Sequence, residues 1–576
     1  QPRRAGDPPP PDQRRPGRRA RRVAVGVVVA ALVAFAGLGV ASLVGPGSPH
    51  HPTGAGPGGG GHGGHGGHGG GGTNPPPNPP PTPAVAGSLA PAPSRPPVHV
   101  CGNTRLLRGP AHPPAGAVVV PAGTDLSQLG QPHTTYWFAP GVHTLPPARY
   151  SAFRPASGDT YLGAPGAVLD GQGLHPSAIA GTAPDVTVAY LTIEHFAPPG
   201  QEAAVNQGGQ PGWSIHDVSI VDNTPGAGAM LGSHDVLSWS CLADNGQYGF
   251  QAFSTFDRSP LTGGPQDVTV VHDEIAGNDT YGWEIRDPGC GCSGGAKFWR
   301  VDGATIEDNY IHGNRWVGLW ADTDNTGFRI TGNYISGNQR SGITYEISYN
   351  AVIDSNTLVR NGIVDGSQDQ TWMPAIYISE SGGDARVPGR YRGIFDIEGN
   401  VLVDNWGGVV LWENSNRFCG GRYDNVCTLV DPAVYTLASC RQHLPTARPG
   451  QTPDYFANCR WRTQNVLVAR NSFQLSPQRV GSGCSQASKC GINGVFSEFG
   501  SVAPYRGWVV PEDISAHQDN HFLDNRYRGP WLFDGLALGD YQSWHGPGGG
   551  WSTGFTTHQA GGLVFPAQDR GSSYAN

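Results

Sequence analysis

Residues 301–314 read VDGATIEDNYIHGN, and residues 328–338 read FRITGNYISGN. The same shape returns as AVIDSNTLVRN at 351–361, FDIEGNVLVDN at 395–405 and ISAHQDNHFLDN at 514–525. In each, an alternating apolar stretch leads to one Asn, and a second Asn follows five residues on. The pairs are Asn309/Asn314, Asn333/Asn338, Asn356/Asn361, Asn400/Asn405 and Asn520/Asn525. The first three are spaced by 24 and then 23 residues. A fixed period in this range marks stacked structural repeats.

Within a unit the side chains alternate, as in Ile306, Asp308 and Tyr310. Period two is the signature of strand. Short strands joined at Asn and Gly corners, about two dozen residues per unit, predict an all-β, right-handed parallel β-helix. Asn suits such a corner because it tolerates left-handed backbone angles. Stacked coil on coil, its amides form a hydrogen-bonded ladder. A leucine-rich repeat would need a Leu framework and a helical segment per unit, and the sequence has neither. Weaker copies end at Asn223, Asn245 and Asn278, and another surrounds Asn471. Roughly ten or eleven coils at about 4.8 Å each make a rod of about 50 Å. Long gaps at 364–392, 414–463 and 478–510 are insertions, which a solenoid gathers on one face.

The opening coils read AGAVVVPAG, TTYWFAPGVHTL and GDTYLGAPGAVLDGQG (Gly158–Gly173). With the Asn repeats, they resemble the secreted β-helix proteins of the pectate-lyase-like superfold, over about Val118 to Asp534. The resemblance implies the fold and leaves the activity unassigned. The polygalacturonase motif set and the Asp-Pro-His motif of alginate epimerases are absent.

The N-terminal region has another character. Residues 1–22 hold eight arginines against Asp7 and Asp12, a basic tail. Val23–Val44 is an unbroken apolar run, long enough to span a bilayer, with arginines before it and none just after. This predicts a signal anchor with residues 1–22 cytoplasmic and the bulk of the chain extracellular; a long cleaved signal peptide is the alternative. Residues 45–98, rich in Gly, Pro and His, read as a disordered linker. The β-helix domain is expected at 99–560 and a C-terminal tail at 561–576.

Ten cysteines fit an oxidising compartment. Cys419, Cys427, Cys440, Cys459, Cys484 and Cys490 lie in or beside the late insertions and read as disulfides pinning loops. Cys290 and Cys292 are too close to favour bonding each other, with zinc as the alternative. Apart from residues 1–22, the chain has 29 basic and 43 acidic residues, a net charge of about −14. That excludes nucleic acid as a natural partner. Lys297 and Lys489 are the only lysines, which reads as compositional bias.

Counting eight residues on from the second Asn of a unit gives Asp322, Glu346 and Glu413, and Glu380 takes the equivalent place in the coil with an insertion. GLWAD, GITYE, AIYISE and VVLWE thus end on acids that would stack at about 5 Å. Charges so close call for a proton, a cation or separation. The expectation is a groove for a polysaccharide or cell-wall glycan, with Asp322, Glu346, Glu380 and Glu413 catalytic and Ca²⁺ as a possible bridging ion. Trp320, Tyr345 and Trp412 would stack on sugar rings, and Arg286, eight after Asn278, would bind substrate. The predicted activity is that of a polysaccharide lyase or glycoside hydrolase; the alternative is a non-catalytic carbohydrate-binding or cell-surface interaction module.

Overall fold

A computed structural model of the chain describes residues 89–146, 152–253, 264–413, 462–497, 513–515, 517–534, 538–539, 544–545 and 568–575. The basic tail, the apolar run Val23–Val44, most of the linker, Cys419, Cys427, Cys440 and Cys459 lie outside these residues. Among the described residues no helix is long and apolar enough to cross a membrane.

Three parallel sheets of 13, 13 and 12 strands wind around one core. From Thr160–Gly163 to Ile492–Ser497 each strand pairs with the strand three places later, so each coil from Thr160 to Asp534 contributes one strand to each sheet. Among the described residues this makes eleven complete coils, in line with the ten or eleven expected, with partial coils before them. One antiparallel pair, Phe533↔Gly539 and Asp534↔Leu538, ends the third sheet. Ser573–Ala575, within the segment read as a tail, pairs in parallel with Arg526–Arg528 and adds a strand to the second sheet.

Both Asn ladders are present. In the first, Asn309 Nδ2 donates to Asn333 Oδ1 at 2.9 Å, and the chain of bonds continues through Asn356, Asn400, Asn471 and Asn525. The second runs Asn223, Asn245, Asn278, Asn314, Asn338, Asn361, Asn405. Asn525 thus sits in the first series, not the second as its pairing with Asn520 suggested. Each ladder amide is buried, and those inside the ladders use their capacity fully. Asn338 gives Nδ2 to Asn361 Oδ1 and Ile311 O, while its Oδ1 takes Asn314 N and Asn314 Nδ2. Satisfied in this way, buried amides rigidify a core instead of destabilising it.

The left-handed residue is not the Asn but the one before it. Asp308, Gly332, Ser355, Gly399, Arg470 and Asp524 have φ between 53° and 65°. That φ turns the corner and aims the Asn side chain inward. A glycine accompanies the second ladder. A Cβ on Gly318 would lie 2.6 Å from Gly342 O and 2.9 Å from Asn338 Nδ2, so only glycine leaves space for the stacked amide.

The N-terminal segment straps the second sheet. Leu89 lies beside Gly399, Pro93 O accepts from Thr357 Oγ1, and Pro110 O accepts from Trp137 Nε1. Val98 and Val100 pack on Cys241 and Ala243, and Cys101 is disulfide-bonded to Cys241. The strap runs against the direction in which the coils are added. Residues 89–98, read as linker, belong to it.

Candidate functional site

The third sheet alone is bordered by insertions on both sides. Before its strands come the helices Trp283–Arg286, Ile363–Asp369 and Pro477–Val480. After one of its strands, Pro374–Ser379, comes the long connection 380–394. The gap predicted at 364–392 is two loops, because the strand Pro374–Ser379 divides it.

Register fixes which side chains share a row. Ala321, Tyr345, Ile378, Leu411 and Val495 face the core. The flanking rows point outward. One contains Gln251, Lys297, Trp320, Thr344, Tyr377 and Val410. The other contains Trp299, Asp322, Glu346, Ser379, Trp412 and Phe496.

The predicted stripe therefore divides. Asp322 and Glu346 share a row in neighbouring coils. Glu380 and Glu413 sit one residue further on, at the corner, where Thr323 and Ile347 stand in the coils below. Glu413 is fully buried and accepts from Gln518 Nε2 and Thr463 N of the next coil, a structural use. Glu380 Oε2 takes the Ser379 hydroxyl at 2.6 Å. Tyr345 is a core residue, edge-on to Phe328 and Phe395. Trp320 and Trp412 lie on the same outer face, two residues apart in register. Arg286 is not in the stripe: the residue paired with Asp322 in the coil below is Trp299. Its guanidinium instead covers the Tyr281 ring at 4.0 Å on an exposed helix.

The sequence reading missed the basic partners. Lys297 Nζ lies 2.9 Å from Asp322 Oδ2 and 4.3 Å from the Trp320 ring centre. The Trp320 indole N–H donates to Glu346 Oε2 at 3.0 Å. Arg340 pairs with Asp365 at 3.2 Å and covers Trp316 at 4.2 Å. Trp320, Arg340, Thr344, Trp372 and Tyr377 line a recess on this face. The acids along its edge are perturbed. Burial pushes Asp279 up to about 7. Burial raises Asp365 to about 6, with Arg340 opposing. Burial also raises Glu284. Clusters of displaced carboxyl pKa values are a mark of functional sites. Thr323 (φ 40°) and Ile347 (φ 46°), both β-branched and left-handed, directly follow Asp322 and Glu346. Strain of this kind concentrates where side chains must be held for function.

Two metal expectations can be tested on the donors. Asp322 is already occupied by Lys297 and by the Thr323 hydroxyl at 2.8 Å, so the row does not offer Ca²⁺ a free pair of carboxylates. Cys290 and Cys292 are bonded to each other. The C-x-C pair, expected to avoid that bond, thus has no thiolate for zinc, although Glu284 lies within ligand distance.

Residues 203–387 match the family described as "Right handed beta helix region". The described residues have the fold of a right-handed parallel β-helix. Comparison with curated proteins gives no match. Among solved structures, this β-helix is similar to the mannuronan C-5 epimerase AlgE4 A-module of Azotobacter vinelandii, at 15% identity and TM-score 0.40, over 63% of this chain and 86% of that one. It is similar to the catalytic unit of a GH87 α-1,3-glucanase from Streptomyces thermodiastaticus, at 14% identity and TM-score 0.43, over 81% and 70%. A mannuronic acid specific family 6 polysaccharide lyase from human gut microbiota gives 12% identity and TM-score 0.40, over 71% and 78%.

Proposed function

We propose that this β-helix protein binds a polysaccharide along the outer face of its third sheet and cleaves it by acid–base catalysis. The carrying observation is the Lys297–Asp322–Trp320–Glu346 constellation in adjacent coils. Neighbouring strands stand about 4.8 Å apart, close to the roughly 5–5.5 Å between carboxyl groups in retaining glycosidases. Asp322, matched to an ammonium, is the anionic partner. Glu346, which accepts the Trp320 indole N–H, is assigned the general-acid role. Trp372, partly exposed, supplies aromatic surface for a sugar ring, with Trp320 and Tyr377 buried behind it. A non-catalytic glycan-binding module is the second reading, favoured by the complete burial of Glu346.

The proposal includes location. The solenoid stands outside the membrane on the linker, anchored by Val23–Val44. Three disulfides among the described residues support an oxidising compartment. Protease shaving of intact cells should then release a soluble fragment starting in the linker. For activity, the test is reducing-end release from a polysaccharide panel, with and without Ca²⁺. Release from one glycan supports catalysis, binding without release supports the module, and neither outcome with any glycan rejects both.

A further inference from the structure

The ammonium of Lys297 has a third contact: it donates to the carbonyl oxygen of Gly291. Gly291 is the middle residue of the ring closed by the Cys290–Cys292 disulfide. That ring is fixed from several directions. Glu284 Oε1 accepts the N–H of Cys292 at 3.0 Å, and Glu284 Oε2 accepts the N–H of Gly289 at 3.1 Å. Gln247 Nε2, from the coil below, donates to Cys292 O at 2.7 Å. Cys290 Sγ lies 3.6 Å from Glu284 Oε1. Gly289 and Gly291 are both left-handed, at φ 83° and 56°, so the loop follows a path that side chains rarely allow.

Global stability does not explain such a ring. A cross-link stabilises more the longer the loop it closes, growing roughly with the logarithm of loop length. Cys101–Cys241 spans 140 residues and Cys290–Cys292 spans two. What the small ring determines is local: the direction of one carbonyl. We infer that the Cys290–Cys292 disulfide and Glu284 are positioning residues for Lys297. They hold Gly291 O where it captures one ammonium proton and leaves the others to Asp322 and the Trp320 face. The geometric claim stands on these contacts; its consequence for catalysis rests on the function proposed above.

The chain has two lysines, which makes the test clean. Amine-labelling kinetics followed by peptide mass spectrometry report Lys297 and Lys489 separately. The forms compared are wild type, the double variant Cys290→Ser/Cys292→Ser, and Glu284→Gln, which keeps the disulfide. Losing one charge-assisted hydrogen bond should raise labelling of Lys297 about tenfold relative to Lys489 in both variants at neutral pH. If the double variant does not fold, Glu284→Gln decides. Labelling of Lys297 within twofold of wild type in the folded variants overturns the inference. With a cleaved glycan in hand, both variants should lower kcat more than they raise KM. Increased labelling in a protein that cleaves no glycan keeps the positioning claim and removes the catalytic one.

Discussion

Asp322 in one coil holds Lys297 of the coil below, Oδ2 to Nζ at 2.9 Å, with both side chains 10% exposed. Removing one member of a buried pair leaves the other charge uncompensated, at a cost of about 3–5 kcal/mol. Asp322→Asn should therefore destabilise the fold by about 3 kcal/mol in urea denaturation. The double variant Lys297→Met/Asp322→Leu should recover most of that loss, because its pair of apolar side chains carries no buried charge. A double variant no better than the single one would show that the pair stabilises beyond its charge balance.

Asn338 makes four hydrogen bonds inside the second ladder. Asn338→Ala leaves donors and acceptors in two neighbouring coils unsatisfied and opens a cavity. The expected loss is about 2–4 kcal/mol, read from chemical denaturation. A loss below about 0.5 kcal/mol would mean that the ladder tracks the fold without supporting it.

Asp273 occupies a ladder position just below Asn309. Its Oδ1 accepts Ser240 N at 2.8 Å, and its own N–H donates to Asn309 Oδ1 at 2.8 Å. Among the described residues Oδ2 has no hydrogen-bond partner, and burial raises the carboxyl well above the ordinary value. A raised folded pKa means that the native state binds the proton more tightly than the unfolded chain. Stability is then greatest below the unfolded value near 4 and falls as pH rises toward the folded one. Asp273→Asn supplies the amide that Asn309 provides in the coil above. It should raise stability at pH 7 by about 1–3 kcal/mol and flatten the decline between pH 4 and 7. Thermal melts of both proteins at pH 4 and pH 7 check it; an equal gain at both pH values would contradict it.

The strap over the second sheet is tied at one end by Cys101–Cys241, and Glu274 Oε2 accepts the N–H groups of Val100 and Cys101. Cys101→Ser/Cys241→Ser should lower stability by about 3–5 kcal/mol, the scale for a loop of this length. Limited proteolysis should then cut first within residues 89–110. Unchanged cleavage there would show that packing of Val98 and Val100 suffices.

The Asn series made the fold legible, because a buried amide ladder repeats once per coil and survives variation elsewhere. The chemistry was half legible. Asp322 and Glu346 follow Asn314 and Asn338 at one offset, and the structure places them in one row. After Asn405 the corner is one residue shorter: Gly408 follows that Asn by three, whereas Gly318 and Gly342 follow theirs by four. With a side-chain period of two, the slip moves Glu413 off the row and puts Trp412 on it. Lys297 was hidden by the helix-bearing insertion between Asn278 and its strand, which hides any offset from the corner. Its rarity was the available signal: a lone lysine between glycines and aromatics is more than compositional bias.

The central claim is that Asp322 and Glu346 act on a glycan. The most direct measurement is reducing-end release by wild type and Glu346→Gln on the same polysaccharide. Gln keeps the shape and an acceptor for the Trp320 indole N–H, so both proteins should melt at the same temperature. The account predicts a rate at least about a hundredfold lower in the variant, the scale for losing a general acid. Full activity in a folded Glu346→Gln protein would contradict it.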